Sequence, residues 1–346
     1  MVTLNKSTSW YGQWSGYYEQ LPRHFQRLGL AQKVIQPRAG WLPRLLGKSI
    51  ALARGLPPRN QAATWAEYQF EREWGSCSGS IGFVTSVESH LPMVARWEKA
   101  PQNFVASIHF PPDHWTQPMR NTLRSLSSAL VLYSRDLEFF EDHVGRGRVH
   151  FIRHGVDCDF FTPATSAPVR KEEARVLVVG QFDRDFALIG ELAGRLQHER
   201  PKVEFDLVVA AHATRIPGVP ELMAMPNVRT HSGVSDEGLR ALYQRARLLL
   251  LPMKSSGANN AIVEALACGL PIVSNDIGGI RDYGGGTSFP VAGSPTEVEE
   301  LLHHYLDDER ACQETGARCR AFAEEHLPWP KVAAQHWSAM RDLAGG

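Results

Sequence analysis

The feature that most constrains this chain is the run LLLLPMKSSGANNAIVEALACGLPIVSNDIGGIRDY at 248–283. It reads as a strand, a loop of small polar residues, a short helix, a stop, a second strand and a glycine turn. Gly269 stands where a left-handed cap ends the helix, and Pro271 cannot continue it. The loop 254–260 would deliver several backbone N–H groups to a helix amino terminus, where the partial positive charge of the helix dipole favours anions. Lys254 and the side-chain amides of Asn259 and Asn260 add donors to those of Gly257, Ala258 and Ala261. This is a phosphate-binding arrangement without the lysine of a Walker loop.

The same grammar runs through the rest of the chain. Apolar runs at 80–85, 103–110, 129–133 and 149–153, and again at 174–180, 203–210, 248–251 and 270–274, read as buried strands. Between them helical periods are expected at 64–74, 88–98, 116–127, 136–143, 186–198, 236–246, 260–267 and 296–307. That alternation argues for α/β architecture with parallel, doubly wound sheets. The 346 residues exceed one ordinary core and suit two domains of roughly 150 residues each. Periodicity stops in HGVDCDFFTPATSAPVRKEEA, so the expected domains are 1–165 and 166–328, with a closing helix at 329–346. Two such domains facing one another would leave a cleft at the carboxyl ends of their strands.

Lys+Arg and Asp+Glu are both 37, and a neutral total does not suit a dedicated nucleic-acid binder. The total hides an asymmetry: residues 1–165 hold 18 basic and 13 acidic side chains, leaving 19 and 24 for the remainder. From 21 to 66 there is no acid, against eight cations, among them Arg38, Arg44, Lys48, Arg54 and Arg59. In 38–59 these five interleave with Trp41, Leu42, Leu45, Leu46, Ile50, Leu52 and Leu56. Such a stretch suits an ordinary amphipathic helix with solvated arginines, a groove for an acidic glycan, or peripheral contact with anionic membrane. Five scattered cysteines without a CxxC pair suggest neither a disulfide framework nor a zinc site, and point to a reducing compartment. The start MVTLNKSTSWYGQW lacks the apolar stretch of a secretory signal, and no apolar run approaches a membrane span, so the expected location is cytoplasmic, with any membrane contact at the inner face.

Individual residues carry two readings each. Glu264 near the start of its helix either complements the dipole or accepts hydrogen bonds from a ribose diol. Asn260 is either an N-cap or a ligand donor. Arg184 is either a solvated loop residue or a guanidinium for phosphate oxygens. His109, in Ile108-His109-Phe110 before Pro111-Pro112, is either a structural strand-end histidine or a ligand contact.

With these residues in view, the chain resembles the retaining GT-B glycosyltransferases, in particular the family-4 enzymes (glycosyl transferases group 1). Their pattern runs glutamate, seven residues, glutamate, an Ala-rich helix, Gly-x-Pro-Val-Val and a Gly-Gly turn. Glu264-Ala-Leu-Ala-Cys-Gly-Leu-Pro-Ile-Val and Gly278-Gly279-Ile280-Arg281-Asp282 are similar to its second half. Ile152-Arg-His-Gly-Val-Asp157 with Phe160-Phe161-Thr162-Pro163 resembles the interdomain signature, and Val178-Val-Gly180 the first strand and glycine of the donor domain. Gly12 and Gly16 resemble a first glycine loop. The resemblance covers roughly 103–340 well and the first hundred residues poorly.

The resemblance implies a GT-B fold with the terminal helix crossing back to the first domain. It implies transfer of a sugar from a UDP- or GDP-type donor to a glycan or lipid-linked acceptor, with retention, no cofactor and no metal. Glu264 would hold the ribose. Gly16, Gly180, Arg184, Lys254 and the loop from Ser256 through Gly257, Ala258, Asn259, Asn260 to Ala261 would hold the diphosphate, and His109 the sugar. The chain departs from the pattern twice: Ser256 stands where the family has its first glutamate, and Gln181 where it has an arginine, with Arg184 the nearest cation. A hydroxyl can bond a sugar but cannot stabilise an oxocarbenium-like charge. Two other readings stay open: a non-catalytic GT-B subunit or glycan-binding partner, and a GT-B sugar-nucleotide epimerase.

Overall fold

The computed structural model describes residues 1–5, 14, 16–56, 60–77, 79–98, 100–164 and 174–345. They form two units, Met1–Arg153 with Trp329–Gly346, and His154–Pro328. Each is built on one all-parallel sheet.

In the first unit the chain runs β1 (Val2–Asn5), α1 (Tyr17–Arg27), β2 (Ala31–Ile35), α2 (Trp41–Ala53), α3 (Gln61–Gly75), β3 (Ile81–Val84), α4 (Leu91–Val94), β4 (Phe104–Ile108), α5 (Gln117–Leu123), β5 (Ala129–Val131), α6 (Leu137–Val144) and β6 (Val149–Phe151). The sheet order is β2-β1-β3-β4-β5-β6. Every residue of β3, β4 and β5 is buried, as expected of parallel strands covered on both faces. Phe70, Trp74, Phe104, Trp115 and Phe140 fill one side of this sheet. Winding reverses between β1 and β3, the point where such sheets open a crevice.

The second unit runs β7 (Arg175–Val179), α7 (Phe186–Glu199), β8 (Glu204–Val208), α8 (Val219–Met223), β9 (Val228–His231), α9 (Asp236–Arg245), β10 (Leu248–Leu250), α10 (Asn260–Ala267), β11 (Ile272–Val273), α11 (Pro295–Asp307) and α12 (Glu309–His326). Its order is β11-β10-β7-β8-β9. The chain starts in the middle at β7, winds outward to β9, then returns with β10 beside β7, so the switch point lies between β7 and β10. Asp185, Ser235, Asn259, Ser294 and Asp308 cap five of its helices through side-chain oxygens, each closing an orphan N–H.

The boundary between units falls after Arg153, earlier than the 165 expected. Residues 154–162 are bound to the second unit: the His154 N–H donates to the Tyr283 hydroxyl (2.7 Å), and Gln244 donates to the Thr162 carbonyl (2.8 Å). Arg320 also donates to the carbonyls of Cys158 (3.1 Å) and Phe161 (2.8 Å). The final helix, α13 (Trp329–Gly345), belongs to the first unit. Among the described residues no helix is long and apolar enough to cross a membrane. All five cysteines are free thiols.

Candidate active site

The loops leaving β7 and β10 meet at the switch point of the second unit. Gly180 leaves β7 at φ 85°, and a Cβ there would lie 2.8 Å from Arg184 Nη2. Only glycine both adopts that conformation without strain and leaves room for the guanidinium. Asp183, at φ 55°, turns the chain back. Arg184 is buried and held from several sides: Nε donates to the Val179 carbonyl (3.0 Å), Nη1 to the Phe182 carbonyl (2.9 Å), and Nη2 to Asn259 Oδ1 (3.2 Å). It is no solvated loop residue. The loop after β10 is stitched to it by Lys254 N–H to the Asp183 carbonyl and Asp185 N–H to the Pro252 carbonyl, both 2.9 Å. Asn275 braces Met253 through both of its backbone groups, at 2.8 and 2.9 Å.

Asn259, not Asn260, is the N-cap of α10. Its Oδ1 accepts from the Ala261 N–H (3.0 Å) while also receiving Arg184. The Ala261 N–H is therefore occupied. The N–H groups of Gly257, Ala258 and Asn260 have no acceptor among the described residues. They lie near a guanidinium at the positive end of a helix dipole, an arrangement whose electrostatics favour an anion. Lys254 is exposed, with no side-chain partner among the described residues. Ser256 is buried, and its hydroxyl donates to the carbonyl of Gly257 (3.0 Å). Its backbone rests on the Gly278-Gly279 turn: at Gly278, φ 54°, a Cβ would fall 1.8 Å from the Ser256 carbonyl oxygen.

Glu264 is the fifth residue of α10, beyond the first turn, which removes the simple dipole reading. It is 3% exposed, and its Oε2 accepts from the Tyr243 hydroxyl (2.9 Å). Burial first, and then the Glu264 charge, raise the Tyr243 phenol well above its usual pKa, so it stays a donor. Gln181 accepts from the Ala210 N–H (3.0 Å) and pairs with His212 (2.9 Å), so it ties the β7 and β8 loops together. Among the described residues no three His, Cys, Asp or Glu side chains cluster to hold a metal.

In the first unit, His109 follows β4. Its Nε2–H donates to the Thr85 carbonyl (2.7 Å), which fixes the tautomer and leaves Nδ1 as an acceptor. Glu88 Oε1 accepts from the N–H groups of His109 (2.6 Å) and Phe110 (2.8 Å). Burial lowers the His109 pKa, against the opposing pull of Glu88 and the Thr85 bond. The ring lies 4.9 Å from Tyr17 and 5.0 Å from Tyr18, at the start of α1. Gly16, at φ 93°, is the N-cap of that helix; Gly12 lies outside the described residues. His114 sits in the short 3₁₀ turn Pro112–His114, with its ring 5.6 Å from Phe110.

Sequence reasoning missed Tyr243, Asn275, Thr85, Glu88 and Tyr17. Tyr243, Thr85 and Glu88 each support a candidate site residue, and Asn275 braces the loop after β10, all from segments distant in sequence. Only for Thr85 and Glu88, in the segment that follows the parallel strand β3, did position offer a signal.

Residues 173–308 match the family described as glycosyl transferases group 1. Those residues make up most of the second unit. Among curated relatives, the chain is 30% identical over 198 residues to the MMP alpha-(1->4)-mannosyltransferase of Mycolicibacterium hassiacum, covering 54% of this chain and 47% of that one. D-inositol 3-phosphate glycosyltransferase of Paenarthrobacter aurescens is 24% identical, covering 58% and 53%. The chain spans about half the length of these curated relatives. Over the whole chain the fold is GT-B. Sucrose-phosphate synthase from Thermosynechococcus elongatus superposes with a TM-score of 0.74 at 17% identity, covering 100% of both chains. HepE of Anabaena, in complex with UDP and glucose, has a TM-score of 0.71 at 15% identity, covering 98% and 99%.

Proposed function

We propose that the chain is a glycosyltransferase that moves a sugar from a UDP- or GDP-type donor to a glycan or lipid-linked acceptor, with retention and without a metal. The observation that carries this reading is the second unit's switch point, where Arg184, Asn259 and the amino end of α10 converge one turn before the buried Glu264. The diphosphate takes the N–H groups of Gly257, Ala258 and Asn260 together with Arg184, with Lys254 adding mobile positive charge. These donors neutralise charge that develops on the leaving phosphate, the part a cation plays elsewhere. Glu264, oriented by Tyr243, accepts from the ribose hydroxyls. His109, neutral and with Nδ1 as acceptor, takes a sugar hydroxyl. The activities of the relatives, a mannosyltransferase and inositol phosphate glycosyltransferases, support the reaction class, and the HepE complexes with UDP support the donor class.

Ser256 favours a second reading. Its hydroxyl is turned to its own neighbour's carbonyl and brings no negative charge, which suits a subunit that binds without turnover. Incubation with a panel of nucleotide sugars, following release of nucleoside diphosphate and analysing the recovered sugar, separates the readings. Release from one donor, abolished in Glu264→Ala, supports transfer. Donor binding without release supports the binding subunit, and isomerised sugar with no acceptor product supports the epimerase.

A further inference from the structure

Of the seven large apolar side chains exposed among the described residues, four lie on one helix: Trp41 (75%), Leu52 (73%), Leu45 and Leu42 of α2. Trp41, Leu45, Lys48 and Leu52 follow the spacing i, i+4, i+7, i+11, a single stripe along an α-helix. The opposite side is engaged. Gly47 is buried against the start of α3, where a Cβ would fall 1.7 Å from the Gln61 carbonyl oxygen, so α2 lies as close to α3 as backbones allow. Leu46 and Ile50 are partly buried on that side. The outward stripe is thus the face left over after packing is complete.

Its charge is of one sign. No acid occurs from 21 to 66. Arg54 is paired with Glu71 (2.6 Å) and Lys33 with Glu73, which removes them from the exposed total. Arg38, Arg44 and Lys48 are exposed, with no acidic partner among the described residues. We infer that α2 lies in the interface of a bilayer containing anionic lipid, with Trp41, Leu45 and Leu52 in the acyl boundary and Arg44 and Lys48 at the headgroups. A second copy of the chain fits the face poorly. A two-fold contact through this stripe would bring Lys48 toward its own copy on a helix without a single acid, whereas lipid phosphates complement it and the lysine stem can extend along the apolar stripe. This surface lies on the first unit alone and does not depend on the reading of the second.

Flotation of the full chain with phosphatidylcholine vesicles, with and without phosphatidylglycerol, tests the inference in the absence of donor or acceptor. The expected result at low salt is binding to the anionic vesicles only. Leu45→Gln with Leu52→Gln should abolish it. Arg44→Glu with Lys48→Glu should weaken it by at least about thirtyfold. Arg146→Glu, an exposed cation on the α6–β6 turn, should leave it unchanged. All replaced residues are exposed, and thermal melting checks that each variant is folded. The inference is overturned by no vesicle binding, by equal binding to neutral and anionic vesicles, by an equal loss in Arg146→Glu, or by a dimer that Leu45→Gln dissociates in the absence of vesicle binding. None of these outcomes bears on nucleotide-sugar turnover, so failure of this inference and failure of the transfer reading are read separately.

Discussion

Tyr243 and Glu264 form a buried donor and acceptor pair whose value lies in orientation. Tyr243→Phe keeps the ring that packs on Phe161 but leaves Oε2 of a buried carboxylate without that donor. Stability should fall by about 1–3 kcal/mol in urea titration. Calorimetry should show weaker binding of nucleoside diphosphate as Glu264 loses its fixed position. Unchanged stability together with unchanged binding would mean that the phenol orients nothing. Gly278 is the second sensitive position. Alanine there requires a strained φ, and its Cβ meets the Ser256 carbonyl at a distance only backbone movement relieves. Gly278→Ala should cost about 3 kcal/mol and displace the loop before α10, whereas Gly75→Ala, where added carbon meets nothing within 4 Å, should be well tolerated.

The terminal helix α13 is held through His336. Its Nδ1–H donates to the Val332 carbonyl (2.8 Å), so Nε2 accepts from the Tyr17 hydroxyl (2.9 Å), whose oxygen in turn accepts from Ser107 (2.6 Å). Burial pushes the His336 pKa down to about 4. The unfolded chain takes this proton near pH 6.5 and the folded chain only near 4, so between those values the unfolded state binds the extra proton. Stability contributed by the neutral ring is complete above about 6.5 and falls by about 3 kcal/mol as pH drops to 4. His336→Gln should flatten that part of the pH profile in urea unfolding; an unaltered slope would contradict the assignment. Elements with strong periodicity were legible, including α7, α9, α10 and α11, whose bounds lie within a residue of expectation. β1, β2 and β9 were not. β1 lies in a stretch read only for a leader signal and β2 in one read for its charge, and VRTH in β9 carries one apolar residue, because an edge strand has only one neighbour to satisfy. The expected helix over 88–98 shrank to Leu91–Val94, since Glu88 is drawn to the β4 loop by the backbone of His109 and Phe110.

The formal charge of the molecule is zero, yet the first 165 residues carry a surplus of five cations and the rest a deficit of five. On the proposed reading, an anionic donor would be held in the acidic half by local means: three backbone N–H groups, Arg184 and Lys254. The loop before α10 and the helix itself were legible because glycine, asparagine and the helix stop form one local pattern. The supports of Glu264 and His109 were not, because they come from elements that only the sheet order brings together. Local donors act at short range, so raising salt from 50 to 500 mM should weaken vesicle binding through α2 far more than diphosphate binding at α10. The most direct test of the central claim is a calorimetric titration of the intact chain with UDP and GDP, each compared with its nucleoside. At least one diphosphate should bind, its nucleoside at least about tenfold more weakly, with that margin lost in Arg184→Met and overall affinity reduced in Glu264→Gln. Absence of binding by both diphosphates, or equal affinity for nucleoside and diphosphate, would contradict the account.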